Sequence, residues 1–214
     1  MTDKPTEPTD SPADQQVAIE RLEQILEEKP DSPTAHYNLG LALAQNNEWD
    51  RSLQEFRSAL RLRPGLLEAR INVAGILLQM GDFDGCINES LRALQYDPNL
   101  VEGCVNIGVA YLSKGMVEPA MDSFEKALRI DATSLTAHIN LANAHLAQGN
   151  LDKSIEHNTK ALEVNPQFAM AHNNLAATYL QSENQEKALH HAQEALRMGY
   201  PVHPEMLKQV GLGQ

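Results

Sequence analysis

The chain has 214 residues, 42% hydrophobic and 5% aromatic, and its 29 acidic against 17 basic side chains give a formal charge of −12. That charge repels nucleic acid and anionic membrane at long range, so neither is expected as a partner. With few aromatics, the core has to come from Leu, Ile, Val and close-packed Ala, which suits helix on helix better than sheets.

Residues 1–13 read as a disordered acidic tail, because Pro and charge dominate and nothing there offsets the entropy of ordering. The tail has neither an apolar core segment nor a basic start, so it reads as neither a secretion signal nor a membrane anchor. No later apolar stretch approaches the roughly 20 residues that span a bilayer, and a soluble, cytoplasmic protein is expected. Residues 14–28 follow as a helix, with Val17, Ala18, Ile19, Leu22, Ile25 and Leu26 at helical spacing. Ala18 and Pro30 are in register with Ser52 and Pro64, so this helix takes the place of the second helix of a preceding unit, a half repeat.

From Pro33 a 34-residue period runs through the chain, with Asn38, Asn72, Asn106, Asn140 and Asn174 in one phase and Ala59, Ala93, Ala127, Ala161 and Ala195 in another. A period of this length with helix-forming composition predicts an all-α, right-handed α-solenoid of stacked antiparallel helix pairs, in which no unit buries its apolar face without a neighbour. Five units are expected, at 33–66, 67–100, 101–134, 135–168 and 169–202, within a single domain over 14–214. In each, a first helix ends at a turn marked by Asn47, Gly81, Gly115 or Gly149, residue types that take a left-handed conformation at low cost. A second helix starts near Glu48, Asp82, Met116, Asn150 or Asn184, with Asp50, Asp84, Glu118, Asp152 or Glu186 in its first turn, where the helix dipole favours negative charge. Small residues at Gly40, Ala74, Gly108, Ala142 and Ala176, facing Ser52, Cys86, Ala120, Ser154 and Ala188, let the two backbones approach. Residues 203–214, with Met206, Leu207 and Val210 apolar, read as a short capping helix.

Leu39, Gly40, Ser52, Phe56, Ala59, Leu60 and Pro64 in the first unit carry a resemblance to the tetratricopeptide repeat family, and it extends from Pro33 to about Tyr200. What the resemblance implies is a concave groove lined by the first helices. Residues turned away from the buried side of the first helix are Thr34, Tyr37, Leu41 and Gln45, with Asn38 on the flank. Carried along the chain, the groove holds the five asparagines beside Tyr37, Ile71, Val105 and Ile139, with Leu41, Val109, Asn143 and Ala177 at its floor. An asparagine amide donates and accepts, so a ladder of them pairs with peptide backbone whatever its side chains. This is similar to the asparagine ladder of O-linked N-acetylglucosamine transferases, which hold extended polypeptide. Asn is also frequent at this repeat position for inter-repeat bonding, and Ile71, Val105 and Ile139 have packing against the neighbouring first helix as a second role.

No Lys or Arg stands at these groove positions, while Glu68 and Glu102 add negative charge. The clamp by which some family members grip acidic tails of heat-shock chaperones needs such cations, because a carboxylate must be matched by fixed donors. A neutral or basic extended segment, or an amphipathic helix, is the expected partner. Arg57, Arg61, Arg63 and Arg70 cluster elsewhere and read as a solvated face with Glu55 and Glu68 as counter-charges.

Among the eight histidines, His36, His138 and His172 share a repeat position turned toward the second helix, where packing is the expected role. Cys86 and Cys104 fall at inward positions as small hydrophobes and predict neither a disulfide nor thiol catalysis. No phosphate-binding glycine loop and no metal-ligand spacing is present, so no cofactor, no metal and no enzyme activity is expected. The expected function is a scaffold or adaptor for another protein. A self-assembling structural protein, or a regulatory or assembly subunit docking on an enzyme complex, stands as the alternative, and a homo-oligomer is compatible with either.

Overall fold

The computed structural model describes residues 12–213; of the tail expected over residues 1–13, residues 1–11 lie outside them, and Pro12 and Ala13 belong to the first helix instead. The described residues form twelve α-helices and no strand, in two compact units, one ending at Pro98 and one beginning at Asn99. The first unit holds α1 (Pro12–Glu28), α2 (Pro33–Gln45), α3 (Trp49–Leu62), α4 (Leu67–Gln79) and α5 (Phe83–Tyr96). The second holds α6 (Val101–Ser113), α7 (Val117–Ile130), α8 (Leu135–Ala147), α9 (Leu151–Val164), α10 (Ala169–Gln181), α11 (Gln185–Arg197) and α12 (Pro204–Gln209). Within each unit the heaviest packing joins the two helices of a repeat, and each second helix then packs on the next first helix.

Every first helix ends on a residue in the left-handed region: Asn47 at φ 60°, Gly81 at 80°, Gly115 at 73°, Gly149 at 74°, and in the fifth repeat Glu183 at 57°. The following residue closes the turn by donating its backbone N–H five residues back, as from Asp82 to the Leu77 carbonyl at 2.8 Å and from Asn184 to Tyr179 at 2.9 Å. The second helices begin after Glu48, Asp82, Met116, Asn150 and Asn184, as the sequence predicts, yet only Asp82 and Asn184 cap with their side chains, accepting from Gly85 N and Lys187 N.

The expected small residues are all buried. Their size is matched across the helix pair in a way the pattern alone does not announce. A Cβ added at Gly40 would stand 2.8 Å from the Phe56 ring, and one at Gly108 would stand 2.4 Å from Phe124. Where the first helix carries Ala74, Ala142 or Ala176 instead, the residue in register with phenylalanine is Ser90, Asn158 or Ala192, all buried. Glycine thus stands where a phenylalanine ring fills the space against the first helix, and alanine where the facing residue is smaller.

The two ends differ. On α1, Ile19 is buried and packs with Leu22 and Leu26 against Leu39 and Leu43, but Val17 is 63% exposed and Ile25 39% exposed. On the other side, Val210 is buried with Met206 and Leu212 against Ala176, Ala188 and Ala192, so α12 covers the last repeat. Among the described residues no helix is long and apolar enough to cross a membrane.

Candidate protein-binding surface

The first helices bury one face and leave another open, as their 100° step requires. In α2, Ala35, Leu39, Gly40 and Leu43 are buried, Thr34, Asn38 and Gln45 are exposed, and Tyr37 and Leu41 are half-buried. Tyr37 leans on Phe56, with ring centroids 5.6 Å apart, so its hydroxyl end remains at the surface. Ile71 is also half-buried. Val105 and Ile139 are not open in the same way: they are 8% and 3% exposed, and Ile139 packs with Ala161, Ala171, Leu162 and Phe168. Of the two roles, packing is the one the contacts of Ile139 show.

All five asparagines reach the surface, Asn38 exposed and Asn72, Asn106, Asn140 and Asn174 half-buried. Part of their hydrogen-bonding capacity is already used. Asn72 donates to the Glu68 carbonyl at 2.8 Å and, at 3.5 Å, to the Tyr37 hydroxyl; Asn140 donates to the Thr136 carbonyl at 2.8 Å. Asn174 donates to the Asn143 side chain one repeat earlier at 2.8 Å, an inter-repeat bond of the kind the position permits. In Asn72 and Asn140 the amide oxygen keeps its acceptor capacity.

In the second unit, Val105 and Asn106 line an open cleft of about 440 Å³ with Asn99, Val101, Glu102, Asp131, Ser134 and Thr136. Asp131 and Ser134 were not expected there, because they come from the turn before α8, whereas Thr136 in α8 shares the outward repeat position of Thr34. The Asp131 carboxylate is held below its usual range by bonds from the Thr133 hydroxyl and backbone N–H, so the cleft stays anionic.

Two other clusters are rearranged relative to expectation. Arg57, Arg61 and Arg63 are exposed, but Arg70 is buried and does not join them. It pairs with Glu89 at 2.7 Å, donates to the Pro64 carbonyl at 3.0 Å and stands over the Tyr96 ring; Glu55, expected as a counter-charge, binds His36 at 2.6 Å. His36, His138 and His172 do turn toward the second helix, where each meets a residue nineteen positions later: Glu55, His157 and His191. The signal was present in sequence as the recurrence of polar or charged types at that separation, Arg70 with Glu89 included.

Among the described residues no group of three or more His, Cys, Asp or Glu side chains is placed to hold a metal ion. Both cysteines are buried free thiols, and burial pushes Cys86 up to about 11 and raises Cys104 as well, which leaves little thiolate at neutral pH.

Sequence profiles described as tetratricopeptide repeat match residues 14–66, 101–134 and 132–199. The chain belongs to the tetratricopeptide repeat family. Among solved structures it is similar to PilF of Pseudomonas aeruginosa, with a TM-score of 0.76 at 20% identity over 92% of this chain and 89% of that one. YrrB, described as a TPR protein with an unusual peptide-binding site, gives 0.63 at 21% identity over 89% and 98%. Cut9 with Hcn1, from an APC/C hetero-tetramer, gives 0.77 at 17% identity over 93% of this chain and 39% of that one. At such identities the likeness is one of fold. No curated protein matches the chain.

Proposed function

We propose that this protein is an interaction scaffold that binds an extended or helical segment of another protein on the exposed faces of its first helices. The observation that carries the reading is the recurrence of surface asparagines: amide oxygens at Asn72 in the first unit and Asn140 in the second retain acceptor capacity, and the first unit adds half-buried Tyr37, Leu41 and Ile71. Backbone pairing by the asparagines supplies sequence-tolerant grip, and the apolar side chains supply anchorage. Val105 and Ile139 back the surface by packing. The partner segment is neutral or basic, since Glu68 and Glu102 are exposed on these helices and the anionic cleft around Asp131 adds to them. That YrrB is described with a peptide-binding site is in keeping with this reading. The proposal takes residues 14–214 as one working domain.

The test is affinity capture with wild-type protein beside an Asn72→Ala, Asn106→Ala, Asn140→Ala variant whose helicity is first matched by circular dichroism. Partners retained by the wild type and lost by the variant support the asparagine surface. Identical partners on both would remove it and shift attention to the exposed Arg57, Arg61 and Arg63.

A further inference from the structure

One first-helix position and the second-helix position nineteen residues later form a recurring polar contact. The first unit fills it with a carboxylate partner, Glu55 for His36 at 2.6 Å and Glu89 for Arg70 at 2.7 Å. In the second unit two imidazoles meet instead, His138 Nδ1 to His157 Nδ1 at 3.1 Å and His172 Nδ1 to His191 Nδ1 at 2.9 Å. The protonation state follows from the remaining contacts. His138 Nε2 faces the Ala132 carbonyl at 3.1 Å and His172 Nε2 faces the Pro166 carbonyl at 3.4 Å. A carbonyl only accepts, so both Nε2 atoms carry the hydrogen, and the neutral rings present Nδ1 as acceptor to the Nδ1–H of His157 and His191. One proton sits between each pair, and a second would set two N–H groups head to head.

A third ring closes over each pair. His145 stacks on His157 at 5.7 Å, and Tyr179, at the same repeat position, stacks on His191 at 5.6 Å. His145 is buried with its Nδ1 lacking a hydrogen-bond partner, and His190 lies 5.1 Å from His191. The charged groups around the first pair are Asp131 from the turn, Glu156, Lys160 and Lys153 from α9, and Glu125 and Arg129 from α7. Around the second they are Lys187 and Glu194 from α11. Two of these carboxylates are already engaged, Glu156 by Lys160 at 2.5 Å and Glu194 by Arg197 at 2.7 Å. Burial first, then the partner imidazole, holds His157 and His191 at about 4, and burial lowers His138 and His145 too. A histidine depressed in the folded state binds fewer protons there than when unfolded. Its contribution is therefore intact above the ordinary value near 6.5 and is lost as pH falls from there toward 4.

We propose that the His138–His157 and His172–His191 pairs make the second unit an acid-released half of the protein, whose fourth and fifth repeats loosen on proton uptake while the first unit, with a carboxylate partner in the same positions, stays closed. The device does not depend on which protein is bound. Amide hydrogen exchange of the full chain, corrected for intrinsic rates, should show protection in α8–α11 falling about tenfold or more between roughly pH 7.5 and 5, with a change under about threefold in α2–α5. A His157→Gln, His191→Gln variant, which keeps neutral hydrogen-bonding groups, should hold its protection at the lower pH. An equal loss in both units, or a loss that persists in that variant, would overturn the proposal. Should the variant fail to fold, histidine ring NMR titration of the wild type decides instead: His157 and His191 titrating below about pH 5 support the device, and both members of each pair titrating near 6.5 refute it.

Discussion

At the scale of single residues, the pairing of Gly108 with Phe124 has a measurable cost attached. Gly108→Ala should destabilise the protein by about 1–3 kcal/mol through overpacking, and the penalty should vanish in a Phe124→Ala background, a coupling that a double-mutant cycle in urea reads directly. Glu183 holds a left-handed backbone at φ 57° where three other repeats have glycine. Glu183→Gly should raise stability by about 0.5–1 kcal/mol, relief of the side-chain clash outweighing the added freedom of the unfolded chain; an unchanged or lower melting temperature would count against it. Arg70 offers a third contrast. Arg70→Ala removes a buried cation from half-buried Glu89, which keeps its pair with Arg92, and takes the donor from the Pro64 carbonyl; it should cost about 1–3 kcal/mol, whereas exposed Arg57→Ala should change stability by under about 0.5 kcal/mol. The sequence reading treated these arginines alike because charge is visible in a sequence and burial is not: Arg70 occupies the repeat position of His36 and His138, which points at the second helix.

At the scale of elements, the boundaries were legible because each is fixed by local chemistry. The left-handed residue and the acidic first turn recur with the period, and the helices begin where those signals stand. Contacts between elements were less legible. Val17 and Ile25 satisfy helical spacing on α1 yet stay exposed, since spacing defines a face and only a neighbour buries it. Ile139 errs in the other direction, lying on the expected outer flank but enclosed by residues of α9 and α10. The expectation for α12 rests on three apolar residues, and two of them, Met206 and Val210, join Leu212 over the last repeat. Removing residues 203–214 should expose Ala176, Ala188 and Ala192, speed amide exchange in α10 and α11, and promote self-association visible by sedimentation; unchanged exchange would reduce α12 to decoration.

At the scale of the whole molecule, the charge of −12 sets how partners are approached. Binding of a basic segment should weaken by about tenfold or more as salt rises from roughly 0.05 to 0.5 M, chiefly in the association rate; a salt-independent affinity would point to an apolar contact instead. The candidate surface was half legible: the asparagines follow from the period, whereas the contribution of Asp131 and Ser134 arises because the turn that closes the third repeat folds beside that repeat's own first helix. One recurring bond bears on how the chain is to be divided. The carbonyls of Pro30, Pro64, Ala132 and Pro166, at the ends of second helices, are each met by a side chain six residues on, His36, Arg70, His138 or His172. The seam of a repeat is thus sewn from the helix that follows it. A fragment trimmed at Pro166 would leave that stitch undone, so a repeat taken alone keeps its last carbonyl paired only when the following first helix comes with it.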